Sequence, residues 1–116
     1  MKFSKVKIIK KAWGREEIIV NNNMYCGKLL IFKPNSNASL HYHIIKHETF
    51  YILDGSFILR YIDPKTAKKK SKNLKKGDIV VIDRGHCHQL FALNEGGTIA
   101  EFSTTDFADD SYRISR

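Results

Sequence analysis

The chain has 116 residues, 42% of them hydrophobic, and a formal net charge of +8. That length suits one domain with a modest core, and no apolar run approaches the roughly 18 residues of a membrane-spanning helix. Five lysines fall in residues 2–11 and seven in residues 65–76; without these twelve, eight basic residues face twelve acidic ones, so the body of the domain is not basic and neither a nucleic-acid nor a membrane partner is expected.

The N-terminal arm, residues 1–24, interleaves lysine with apolar side chains and lacks the continuous apolar core of a signal peptide. The segment through Ile18-Ile19-Val20 reads as an edge strand that adds to a neighbouring copy and covers an exposed sheet edge there. Asn21-Asn22-Asn23 reads as a turn. Tyr25 to Lys33 reads as a strand, and Pro34-Asn35-Ser36-Asn37 as a turn. Strands are expected over Ser39–His43, Glu48–Leu53 and Ser56–Ile62, the last two joined as a hairpin at Asp54-Gly55. The run Lys65 to Lys76 has no interleaved aromatics for base stacking and reads as a solvated hairpin loop. Ile79–Ile82, His88–Leu93 and Thr98–Ser103 complete the strands, with turns at Gly85 and at Asn94-Glu95-Gly96-Gly97. Short strands, regular turns and no long amphipathic helix point to an all-β sandwich or barrel. Cys26 and Cys87 are too few for a disulfide framework and read as reduced thiols of a cytoplasmic protein.

The chemistry concentrates in His41-Tyr42-His43-Ile44-Ile45-Lys46-His47-Glu48. Residues two apart on a strand share a face, so His41 and His43 point the same way. Glu48 adds a carboxylate and His88 a further imidazole. Three imidazoles and one carboxylate facing one cavity suit one divalent transition metal, with manganese, iron, cobalt, nickel and zinc all compatible. By strand parity Ser39, Phe50, Ile52, Leu90 and Ala92 share the ligand face, whereas His47 and Tyr51 point outward. His47 is the competing ligand; spacing favours Glu48. His86 shares the face of His88 but lies on the turn, as a rim residue or a hydrogen-bond donor behind a ligand rather than a fifth ligand.

The order His-x-His, four residues, Glu, six residues, Gly resembles the first motif of the cupin superfamily. Gly77-Asp78-Ile79-Val80-Val81-Ile82-Asp83-Arg84-Gly85-His86-Cys87-His88 resembles the second, with Asp83 where proline is usual and Ala92 where asparagine is frequent. The resemblance covers about residues 25–105 and implies a single-domain double-stranded β-helix (a jelly-roll cupin barrel) of six to eight strands, with an N-terminal edge strand and a C-terminal tail of residues 106–116. It implies His41, His43, Glu48 and His88 as metal ligands, and a homodimer. More weakly, Ala12-Trp13-Gly14-Arg15-Glu16-Glu17 and the segment Glu101 to Arg113 resemble the cupin domain of type II phosphomannose isomerases. That implies a sugar or sugar-phosphate substrate, aldose–ketose isomerisation and a place in carbohydrate metabolism. Arg84, His86 and Arg113 are then candidate substrate contacts, the arginines because a guanidinium binds phosphate bidentately. Asp109 and Asp110 read as solvating the tail. An iron-dependent cupin dioxygenase and a non-catalytic carbohydrate-binding cupin are the alternatives.

Overall fold

A computed structural model describes residues 1–115. Among these residues there is no helix, and nine strands run in chain order. They are β1 (Lys7–Lys11), β2 (Gly14–Asn21), β3 (Cys26–Phe32), β4 (Leu40–Tyr42), β5 (Glu48–Ile62), β6 (Lys69–Lys75), β7 (Ile79–Ile82), β8 (His88–Ser103) and β9 (Tyr112–Ser115). All pairings are antiparallel.

Two long strands organise the barrel. β5 and β8 pair along nearly their whole lengths, with register shifts at Ile52/Asp54 and Gly55/Phe57. The C-terminal half of β8 carries β3, β2 and β1, while the first half of β5 carries β7. Beyond the bend, the N-terminal half of β8 carries β4 and β9, and the second half of β5 carries β6. One continuous curled sheet thus makes two leaves that close on each other, as a jelly roll does. Phe32, Phe50, Ile52 and Ile99 from one leaf meet Phe57, Leu59, Leu74 and Leu90 from the other in the core. The β1–β2 hairpin folds onto β3 of its own chain, so Ile18 to Val20 close this barrel's edge.

Asp54-Gly55 and Asn94 to Gly97 therefore do not turn the chain; they bend two continuous strands. Gly55 opposes Gly97 and has φ 79°, a conformation glycine adopts without strain. A Cβ on Gly55 would run into the backbone carbonyl of Gly96. Gly55→Ala is accordingly expected to cost at least about 1–3 kcal/mol, read as a lower denaturation midpoint in urea.

The lysine run also differs from its expected form. Residues 69–75 are an edge strand, because Leu74 buries itself opposite Phe57 and draws its neighbours into register. The lysines of β6 stay exposed along that edge, which discourages pairing with another chain.

Candidate metal centre

His41 on β4 and His88 at the start of β8 are direct cross-strand partners. His43 follows β4 by one residue, and Glu48 opens β5. One ring nitrogen from each of His41, His43 and His88 lies within 4.8 Å of the others, so the three imidazoles are positioned to bind a metal ion. Each ring's Nδ1 faces a backbone carbonyl: His41 that of Ser39 at 2.8 Å, His43 that of Asp110 at 2.7 Å, His88 that of His86 at 2.9 Å. A carbonyl only accepts, so Nδ1 carries the proton in all three rings and Nε2 keeps its lone pair for the centre.

Glu48 completes the arrangement. Its Oε2 lies 3.4 Å from His43 Nε2 and 3.5 Å from His88 Nε2. Two donors each about 2.1 Å from one ion, at near-tetrahedral angles, would be roughly 3.4 Å apart. Glu48 Oε2 and His88 Nε2 are buried and have no hydrogen-bond partner. Orphaned buried polar atoms are costly, and an ion between them satisfies both. The residues present fit a divalent metal.

The surroundings are charged. A cavity of about 520 Å³ includes the three histidines and Glu48 in its lining, together with Lys28, Lys46, Glu16, Glu101 and Asp106. Lys46 Nζ lies 3.1 Å from Glu101, and 3.5 Å from both Glu48 and Asp106. Lys28 Nζ lies 2.6 Å from Asp106 and 3.4 Å from Glu16. Four carboxyl groups thus stand around two buried ammonium groups, and Lys11 and Arg113 line the same cavity. Burial, and then the neighbouring Glu101, push the Glu48 carboxyl up to about 8. Burial holds the His41 imidazole down at about 4 and that of His88 at about 3, so both stay neutral and available to a metal.

These shifts set the pH behaviour of the metal-free protein. The unfolded imidazoles take up protons near pH 6.5 while the folded ones do not, so stability falls as pH drops from 6.5 toward 4. Glu48 acts oppositely: its folded pKa is raised, so its contribution is lost as pH rises from 4.5 to about 8. Urea midpoints in chelator should peak near the imidazole value, and a bound divalent ion should remove the alkaline-side loss.

The remaining expected residues divide. His47 points outward and pairs with Asp83 at 3.0 Å, so the residue standing where the motif has proline finds a partner there. Arg113 is the Cα partner of His41 and lines the cavity at its exposed end. Arg84 instead donates Nε to the Ile45 carbonyl at 2.7 Å, bracing the turn before Glu48 from outside the cavity. The His86 side chain also stays outside; its carbonyl is what serves His88. Asp110, expected in solvent, is 2% exposed. Lys28 and Glu101 were readable by parity, for each sits in the inward phase of an alternating strand, where a charge needs a partner. Lys46 and Asp110 lie outside strands and carry no such signal. Trp13, the only tryptophan, stacks on Phe32 at 4.2 Å and forms part of the cavity wall.

A family model described as cupin matches residues 11–113. No curated protein sequence matches the chain. Among solved structures, the capsular polysaccharide assembling protein CapF from Staphylococcus aureus is 16% identical with a TM-score of 0.81, covering 98% of this chain and 34% of its own. An oxalate decarboxylase from Lactobacillus farciminis, in a formate complex, is 20% identical with a TM-score of 0.81, covering 98% of this chain and 35% of its own. KdgF from Halomonas sp. is 14% identical with a TM-score of 0.76, covering 93% of this chain and 98% of its own. The chain thus spans about a third of the length of the first two. With the family model matching nearly the whole chain and the barrel and histidine cluster in place, the protein belongs to the cupin family.

Proposed function

We propose that this cupin binds one divalent transition metal through His41, His43, Glu48 and His88 and acts on a sugar or sugar phosphate, by aldose–ketose isomerisation of the mannose-6-phosphate isomerase type. The observation that carries the reading is the set of lone pairs converging on one point of a roomy cavity, with Glu48 Oε2 and His88 Nε2 left without partners. Bound there, the metal would supply Lewis acidity toward a substrate oxygen. The chain's own residues supply the rest. Glu16, Glu101 and Asp106 offer acceptors to sugar hydroxyls, and Trp13 offers an apolar aromatic wall. Asp106 is a weak base: burial opposes its charge, but Lys46 and Lys28 outweigh burial and hold its carboxyl below the usual range. Arg113, beside His41 at the exposed end of the cavity, suits a phosphate. The name of one structural neighbour, a capsular polysaccharide assembling protein, accords with a saccharide ligand.

Two free cysteines accord with a cytoplasmic setting; among the described residues no helix is long and apolar enough to cross a membrane. A homodimer through the N-terminal hairpin accords with the exposure of Ile8 and Ile19, and light scattering of the purified protein tests it.

Elemental analysis followed by assay tests the function. Near-stoichiometric manganese, zinc, cobalt or nickel with interconversion of an aldose phosphate and its ketose is the expected result. Iron with oxygen uptake would replace it with the dioxygenase reading. Saccharide binding without turnover would make the protein a carbohydrate-binding cupin.

A further inference from the structure

Asp110 lies in the segment between β8 and β9, far in sequence from the histidines, yet it holds the turn that joins His43 to Glu48. Its Oδ1 accepts the backbone N–H of Ile44 at 2.9 Å and of Ile45 at 3.0 Å. Its Oδ2 accepts Ile45 at 3.2 Å and Lys46 at 2.9 Å. Its own carbonyl accepts the Nδ1 proton of His43 at 2.7 Å. One residue, 2% exposed, thus satisfies three consecutive amides and one metal-facing ring.

Arg84 braces the same turn through the Ile45 carbonyl and Thr104 accepts the His47 amide, but among the described residues no other side chain accepts the amides of residues 44–46. Ile44 and Ile45 are 55% and 52% exposed, so packing of their side chains does not fix the turn. Those three amides lie between β4 and β5, outside any strand. The contrast with the other rings is informative: His41 and His88 are each oriented by a carbonyl two residues earlier, whereas the carbonyl orienting His43 is 67 residues away. Two of the three rings are set by local backbone, and the third only when the C-terminal segment is docked.

We propose that Asp110 is a positioning residue for the metal centre, and that docking of residues 104–115 and metal binding are thermodynamically coupled through the 43–48 turn. This rests on the metal reading above. Coupling is reciprocal: whatever affinity the docked segment gives the metal, the metal returns to the docked segment.

The test is Co²⁺ titration of the full chain and of Asp110→Ala, Asp110→Asn and Asp109→Ala, well below their melting temperatures. Dissociation constants, the cobalt absorption spectrum and hydrogen exchange at amides 44–46 are read with and without the ion. Asp110→Ala is expected to weaken cobalt binding about 10- to 100-fold, the usual cost of losing a group that orients a ligand, and to alter the spectrum. Asp110→Asn should fall between, because the carboxamide keeps one acceptor oxygen; exposed Asp109→Ala should match wild type. Cobalt should slow exchange at amides 44–46 in the wild type. A lower melting temperature in Asp110→Ala with unchanged cobalt affinity and spectrum would make Asp110 merely structural and overturn the proposal. If Asp110→Ala does not fold, unchanged affinity and spectrum in Asp110→Asn overturn it equally, as does cobalt-insensitive exchange in the wild type. Failure of the wild type to bind any divalent ion would instead sink the metal reading, and the coupling with it.

Discussion

His88→Ala is expected to abolish tight divalent-metal binding while leaving the barrel folded. The Nε2 of His88 is buried without a partner, and its ring nitrogen is one of three within 4.8 Å of each other. Removing a donor should cost more than the ~10- to 100-fold that follows loss of a supporting hydrogen bond. The metal-free variant keeps its strands, because β8 is paired through its backbone on both sides and the lost ring gave up one hydrogen bond, from Nδ1 to the His86 carbonyl, along with an unsatisfied Nε2. What disappears is the stabilisation by metal, about 2.7 kcal/mol when the free ion stands at 100 times the dissociation constant. Metal content and urea unfolding with and without metal separate the two effects. A variant that retains one metal per chain would remove His88 from the ligand set.

The second large effect is expected at Lys46. Its ammonium is 4% exposed and faces Glu48, Glu101 and Asp106. Lys46→Met leaves those carboxylates with Lys28 alone, and breaking a buried ion pair from one side costs about 3–5 kcal/mol. Lys46→Met combined with Glu101→Gln removes one charge of each sign and should recover most of that loss. A divalent ion should stabilise the single variant more than the wild type, since it supplies the missing positive charge to Glu48. Urea unfolding of the single and double variants measures all three. A single variant within about 0.5 kcal/mol of wild type would show that the buried charge network contributes little to the fold.

The parts of the site that were legible in the sequence are those governed by strand parity. His41 and His43 two apart, Glu48 with Phe50 and Ile52, and His88 with Leu90 and Ala92 each keep to one face because a strand alternates every residue, whatever it pairs with. The outward course of His47 follows from the same rule; Lys28 and Glu101 obey it too, although neither was singled out before the structure showed them buried. The lysine strand β6 was hidden because its composition mimics a loop; one buried Leu74 opposite Phe57 decides its conformation.

Alternation was enough to read an all-β barrel and to put His41 and His43 on one face, and the motif resemblance added the cupin topology, because such local patterns survive any tertiary arrangement. The folded chain alone shows that β5 and β8 run unbroken through their glycine bends. The reason is that a positive-φ glycine serves a turn or a bulge equally well, and the opposite strand chooses. It alone decided that Arg84 braces a turn while Arg113 reaches the cavity, and that Asp110 closes on amides 64 to 66 residues away. Such contacts depend on where the chain returns after crossing the barrel, and no local pattern encodes that.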